Sequence, residues 1–267
     1  MTPPEPVIRS RLPAVAGLFY PDDPYELRAV VRSYLDAAPA PAADRPKALI
    51  VPHAGYPYSG PTAACAYRPL ESRRELIRRV VLLGPAHRVY LQGMALPSVD
   101  AFTTPLGDVP IDTAAVKQAL ELAGTQISDE AHAAEHSLEV HLPFLQAVLD
   151  DFQLVPIVVG VCPAGEVASV LEALWGGDET LIVISSDLSH YHAYDDARAI
   201  DANTTARIEA RDAAIHGEEA CGAYALNGLL LVAKARGLKV RTLDLRNSGD
   251  TVGDKRQVVG YGAYALA

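Results

Sequence analysis

The chain has 267 residues, 49% of them apolar and 21% charged, enough to bury a sizeable core, which excludes disorder as its main state. Its 23 Lys and Arg against 33 Asp and Glu leave a formal net charge of −10; without a basic counter-cluster, nucleic acid and anionic membranes are disfavoured as partners. Cys65, Cys162 and Cys221 are odd in number and form no C-x-x-C pair, which excludes a disulfide framework and a cysteine-rich zinc site and fits a reducing cytoplasm.

The opening stretch MTPPEPVIRSRLPAVAG carries charges where a signal peptide needs its apolar run. No segment approaches the ~18 apolar residues of a membrane helix, so a cytoplasmic protein is expected. Asp22, Asp23 and Pro24 then read as a cap and first turn, and Leu27, Val30, Val31, Tyr34 and Leu35 share one face. This predicts a helix over 20–35 lying on a sheet. Segment 37–47 (AAPAPAADRPK) reads as a surface loop, because only about 36 residues precede it, too few for an independent core.

Beyond it the chain alternates. Strands are predicted over 48–51 (ALIV), 79–83 (RVVLL), 154–159, 181–185 (LIVIS), 240–245 and 258–264, and helices over 112–123, 164–175, 197–216 and 222–235. That alternation is the pattern of an α/β protein with a mixed, mostly parallel sheet and helices on both faces. Consecutive apolar residues in several strands fit coverage of both faces. Pro156 places its N–H side at an edge or bulge. No internal repeat is evident, and residues 1–267 read as one domain.

The chemistry collects after the strands. ALIV runs into Pro52 and His53, VVLL into Gly84, Pro85, Ala86 and His87, LIVIS into Ser186, Asp187, Leu188, Ser189 and His190, and the strand ending near Leu245 into Asn247, Ser248, Gly249, Asp250 and Thr251. In an open α/β sheet the crevice outside the strand carboxyl ends is where ligands bind. Gly55, Gly60, Gly84 and Gly249 suit tight turns that aim side chains into such a cleft.

Two histidines and a carboxylate from separate strand ends suit a divalent first-row metal with open positions left for substrate. His53, His87 and Asp250 are the candidate ligands. His190 is the candidate acid and base, since an unperturbed imidazole titrates at about 6.5, with Asp187 as its orienting partner. Taken singly, each histidine also reads as a loop residue bonded to backbone, and Asp187 and Asp250 as caps or turn residues.

A second cluster runs from 129 to 144. His132 and His136, and Glu135 and Glu139, stand four apart, so on one helix each pair would share a face, holding either a metal or an ion-pair network. Pro143 is expected to break that helix near its middle. Tyr56, Glu135, His136, Tyr191, Ser248 and Thr251 are the candidates for substrate contact or for orienting the ligands. Cys221, ahead of an apolar helical run, reads as a buried, unreactive thiol. No G-x-S-x-G, Walker-type or G-x-G-x-x-G motif is present, which removes the usual grounds for a serine hydrolase, a P-loop NTPase or a dinucleotide enzyme.

The segments RLPAVAGLFYP, VPHAGYPYSG, LLGPAH, TPLGDVPID, EHSLEVHLPF, SSDLSHY, CGAYAL and NSGDTVGD with VVGYGAYAL resemble, in order and almost end to end, those of the Memo-like family, also known as the B component of the AmmeMemoRadiSam set. The resemblance implies a fold similar to class III extradiol ring-cleaving dioxygenases, which hold non-haem iron on two histidines and a carboxylate. His53 and His87 match that pair, and His190 and Asp187 match pocket residues. Animal members carry a cysteine as a third metal-pocket residue. Alignment backward from VVGY places it at or beside Asp250 and Thr251, where this chain has no cysteine; Asp250 restores a carboxylate, whereas neutral Thr251 is a poor ligand.

The resemblance further implies a divalent metal, Fe(II) first with Zn, Mn or Cu as alternatives, and association with AMMECR-type and radical S-adenosylmethionine proteins. Three functions follow as expectations: a dioxygenase-like iron oxidoreductase acting on a small molecule, a non-catalytic module that receives a peptide or protein in the same cleft, and a zinc- or manganese-dependent hydrolase.

Overall fold

The computed structural model describes residues 8–39 and 45–267. Of the expected loop over 37–47, residues 40–44 lie outside that set, as do residues 1–7 of the opening stretch. In chain order the elements are β1 (Ser10–Arg11), α1 (Pro24–Ala37), β2 (Ala48–Val51), α2 (Tyr56–Tyr67), β3 (Arg79–Pro85), β4 (Met94–Leu96), β5 (Ala101–Thr104), β6 (Gly107–Pro110), α3 (Thr113–Ala119), β7 (Thr125–Ile127), α4 (Asp129–Ala133), α5 (Leu142–Val148), β8 (Gln153–Val159), α6 (Ala164–Ala173), β9 (Thr180–Ser185), β10 (His190–His192), α7 (Tyr194–Glu209), α8 (Ala223–Arg236), β11 (Val240–Asn247) and β12 (Val258–Leu266). Short 3₁₀ turns at Arg68–Arg73, Glu139–His141 and Ser248–Asp250 link some of them.

The main sheet has the order β10-β12-β2-β9-β3-β8-β4-β7, with β11 also paired to β12. Its four central strands, β2, β9, β3 and β8, run parallel, while β12 and β4 pair antiparallel at either flank. The sheet is therefore mixed, as expected. Every residue of β2 and β9 is buried. Because successive side chains alternate between faces, both sides of these strands are covered. β1, β5 and β6 form a separate small sheet.

The six predicted strands are all present, and each of the five predicted helices is found with shifted ends. In α1 the Asp23 side chain accepts hydrogen bonds from the Tyr25 and Glu26 amides, Pro24 follows, and Leu27, Val31 and Leu35 are buried, which is a side-chain cap in front of an apolar stripe. The helix expected over 197–216 stops at Glu209 because Arg211 takes φ +57, a left-handed backbone that cannot continue a right-handed helix.

Helix α2 falls outside the predicted elements: its Pro57 lies in the first turn and nine of its twelve residues are buried, leaving no single apolar stripe to detect. Gly60, expected in a turn, lies inside this helix, where a Cβ would stand 2.7 Å from the Tyr34 ring; its role is close helix packing. Pro156 pairs with Leu82 of β3 on one flank. On the other, β4 reaches only Val158 and Val159, so the proline occupies a local edge, as its missing N–H requires. Among the described residues no helix is long and apolar enough to cross a membrane.

Gly84 sets how closely the segment after α4 approaches the end of β3. A Cβ there would stand 2.8 Å from Ser137 Oγ and 2.9 Å from Leu138 Cδ2, both in buried surroundings. Gly84→Ala is expected to destabilise the fold by about 1–3 kcal/mol through overpacking, read as a lower urea midpoint with an unchanged m-value. An unchanged midpoint would show that the segment yields freely.

Candidate metal centre

β9 lies between β2 and β3, so the turns leaving these three strands open onto one point. His53 follows β2, His87 follows β3, and Ser185, the last residue of β9, pairs in register with Val51. A third imidazole, His136, comes from the segment between α4 and the Glu139–His141 turn. Ring centroids lie 5.1 Å apart for His53 and His87, 4.9 Å for His87 and His136, and 5.6 Å for His53 and His136. One ring nitrogen from each lies within 4.8 Å of the other two, a grouping that could hold a metal ion.

Each ring is held from behind. His87 Nδ1 stands 3.0 Å from Glu135 Oε1, and since a carboxylate only accepts, Nδ1 carries the proton and Nε2 is left free. Glu135 also receives the amides of His87, His136 and Ser137. Burial pushes its carboxyl up, but the His87 ring and these amides outweigh burial and hold it at about 2. His53 Nδ1 stands 2.6 Å from Ser185 Oγ. His136 stacks against His87 and has the tilted Phe19 ring at 4.9 Å; its buried Nδ1 lies 3.4 Å from Glu135 Oε1 but makes no hydrogen bond.

Burial holds His53 well below its ordinary value and lowers His136 to about 4, so both are neutral near pH 7, the protonation state a metal needs. Three converging imidazoles, two of them held neutral by burial and one with a buried Nδ1 that makes no hydrogen bond, fit a first-row ion.

The expected site residues fall into two groups. His53, His87, His136, Glu135 and Asp187 come together. Asp187 accepts from the His53 amide at 2.8 Å, and its other oxygen lies 4.0 Å from His53 Nε2; burial raises its carboxyl to about 7. It does not orient His190, whose Nδ1 instead donates to the Leu188 carbonyl at 2.8 Å. That bond leaves His190 Nε2 free, and burial lowers the pKa of the ring. His190 joins His87, His192, Gly217, Glu218 and Cys221 around an open cleft of ≈ 500 Å³.

Asp250 is not in the imidazole group. Its carboxylate accepts from the Tyr194 hydroxyl and the Asn247 amide, completing a capping box over the Ser248–Asp250 turn; the capping alternative describes it. Ser248 Oγ accepts from the Val259 amide, and Thr251 bonds back to the Ser248 carbonyl, so both serve the same turn. Tyr56 is buried and donates to the Val140 carbonyl between Tyr20 and Phe144. Tyr191 is exposed, with φ +63 and its ring 5.8 Å from that of His190.

His132 and His136 share no helix, because α4 ends at Ala133. His132 faces the small sheet, with Nε2 on the Ala95 carbonyl and its ring against Phe102. Pro143 sits in the first turn of α5 and breaks no helix there, the position where a missing N–H is tolerated.

The Cys221 thiol, expected to be buried and unreactive, has Sγ 3.4 Å from His53 Nε2 and accepts from the Asp187 amide. Burial and the Asp187 carboxylate push its thiol well up, so it is protonated at neutral pH. The packing of α8, not a local motif, brings it to the rim of the cleft. Ser185 and His141 were also missed; each is buried and bonded toward His53.

Fold and site together define an α/β protein with a histidine-lined cleft, able to hold a metal, at the ends of its central parallel strands. The profile of the Memo-like protein family matches residues 11–265. MEMO1 family proteins from Aquifex aeolicus and Archaeoglobus fulgidus are 38% and 36% identical, the alignments covering 95% and 94% of this chain and 98% and 97% of theirs. The chain belongs to the Memo-like family. Among solved structures, an uncharacterized protein of Escherichia coli K12 superposes with a TM-score of 0.52 at 17% identity, over 82% of this chain and 99% of that one, a likeness of fold.

Several buried imidazoles give the fold a defined response to acid. His132 and His136 are lowered to about 4 and His141 to about 3, in each case first by burial. Between those values and the ordinary 6.5 the unfolded chain binds more protons, so stability falls as pH falls. Asp187, raised to about 7 from 3.8, acts in the opposite sense over its own window, and the imidazoles outnumber it. The urea midpoint of metal-free protein is expected to drop from pH 7 to pH 4. His132→Leu should shallow that slope by up to about 1.4 kcal/mol per pH unit; an unaltered slope would contradict a neutral, buried His132.

Proposed function

We propose that this chain is a metal-dependent oxidoreductase in which His53, His87 and His136 hold one divalent first-row ion, Fe(II) before Zn, Mn or Cu, and substrate enters the cleft beside His190. The observation that carries the reading is the convergence of three imidazoles whose His53 and His87 members each have the far nitrogen committed to a hydrogen bond. Imidazole donors suit iron, copper and zinc better than the harder manganese ion. An ion on three neutral ligands keeps its full charge, polarises an oxygen-bearing substrate and, where its valence changes, carries electrons. The expected similarity to ring-cleaving dioxygenases supports iron and redox chemistry over hydrolysis.

The chain's own groups handle protons around that point. His190 Nε2 is free, on a ring fixed by Leu188 and lining the cleft, and takes a proton from substrate or returns one. Asp187 is pinned by the His53 amide, so its oxygens keep their distance from the His53 ring. Cys221 Sγ stands 3.4 Å from His53 Nε2 but outside the three-imidazole group, so its protonated thiol would border, and not complete, the set of residues that would hold an ion.

Protein prepared without oxygen is expected to contain about one first-row metal ion per chain by elemental analysis. His53→Ala, His87→Ala and His136→Ala should each lose most of it, and Asp250→Ala should keep it. Iron-loaded protein should consume oxygen with a catechol probe, and His190→Gln should slow that by roughly 10²-fold or more. Metal retained in all three histidine variants rejects the ligand set; bound iron with no oxygen consumption rejects the oxidoreductase in favour of a binding module.

A further inference from the structure

His141 lies outside the imidazole group, and nothing in the proposed chemistry uses it, yet it is fully buried and both of its ring nitrogens are hydrogen-bonded. Nδ1 meets the Tyr67 hydroxyl at 2.8 Å, and Nε2 meets Ser185 Oγ at 2.8 Å. Ser185 Oγ is shared: it also meets His53 Nδ1 at 2.6 Å and the Ser137 carbonyl oxygen at 2.6 Å. Four buried groups therefore converge on one hydroxyl or extend from it.

The direction of every bond follows from the Ser137 carbonyl. A carbonyl oxygen only accepts, so the single hydroxyl hydrogen of Ser185 goes to it. Oγ then has two lone pairs and no hydrogen left, and both histidines must donate to it. His53 carries its proton on Nδ1, and His141 carries its proton on Nε2. With Nε2 protonated, neutral His141 can only accept at Nδ1, so Tyr67 donates. In this arrangement every donor and acceptor is used once, and the protonated Cys221 thiol, 3.4 Å from His53 Nε2, faces that nitrogen's lone pair. Were His53 protonated on Nε2 with the Ser185 hydrogen still on the Ser137 carbonyl, two lone pairs would face each other across 2.6 Å in a buried site, leaving a hydrogen bond unmade.

We propose that Ser185, His141 and Tyr67 form a buried positioning relay that locks His53 in its Nδ1–H form and so keeps Nε2 as the one ring atom of His53 available to a metal ion. The relay matches the part Glu135 plays behind His87, with a neutral hydroxyl in place of a carboxylate. The two rings are thus set by chemically different supports, one charged and the other neutral, both buried. Tyr67 ends the chain inside the molecule, packed on Phe144 at 5.5 Å, so the relay has no outlet to solvent and holds one arrangement instead of conducting protons. His141 is neutral at pH 7, since burial lowers it to about 3.

The relay serves the metal reading above, but the tautomer itself is read without metal. In ¹⁵N-labelled, metal-free protein at pH 7, two-bond proton–nitrogen correlations should show His53 protonated at Nδ1 and His141 at Nε2. Tyr67→Phe deletes one oxygen and should leave the fold intact, let His141 exchange between tautomers and weaken Co(II) binding roughly threefold. Ser185→Ala should mix the His53 tautomers and weaken Co(II) binding by roughly 10- to 100-fold, with Ser185→Thr, which keeps the hydroxyl, restoring most of it.

A His53 ring protonated at Nε2 in the unaltered protein overturns the relay, as does Ser185→Ala with an unchanged tautomer and unchanged affinity. Failure of the unaltered protein to bind Co(II) would count against the metal centre alone, and the tautomers would still decide the relay.

Discussion

β9 runs between β2 and β3, and that strand order governs the site. Neighbouring strands stand about 4.8 Å apart, so the ends of β2 and β3 are separated by roughly 10 Å. Imidazoles leaving those ends meet only by reaching across the end of β9, and the 5.1 Å between the His53 and His87 rings shows that they do. What β9 presents at its end therefore lies directly beneath both: Ser185 bonds the back of His53, and Asp187 receives the amide of the same residue. Insertion of one strand between two others converts two unrelated loops into one cleft.

The charge arrangement follows from burial. Glu135 is the ionised group behind the imidazoles, stabilised by amides and the His87 ring, while His53, His136 and His141 are kept neutral by exclusion from water. Neutral rings form a better cation site than a mixture of protonation states, because no proton must be displaced first. Gly84 supports this indirectly, since its missing Cβ lets Ser137 settle against β3 and brings Glu135 and His136 to the cleft.

Much of the fold was legible in the sequence because its central strands are short runs of consecutive apolar residues closed by turns, as ALIV before Pro52 shows. α2 was not, since burial on all sides erases the periodic stripe by which a helix is recognised. His53, His87 and Asp187 stand out as candidates by their places after strands, a local signal, and the structure brings them together. The third imidazole was placed among supporting residues, and Asp250 was put forward for its position, because Ser-Gly-Asp serves equally as a ligand-bearing loop and as a capped turn, and only hydrogen bonding separates the two. Cys221, Ser185 and His141 gave no local signal; strand order and the packing of α8 bring them to the site. Those are long-range facts, which neighbouring residues in the chain do not record.

Metal-loaded crystals measured at the absorption edge of the bound ion would show directly whether these imidazoles share a cation. The expected result is one anomalous peak enclosed by the rings of 53, 87 and 136, with nitrogen ligands at about 2.0–2.2 Å. A peak beside the Asp250 turn, or no peak in the cleft of fully loaded protein, would contradict it.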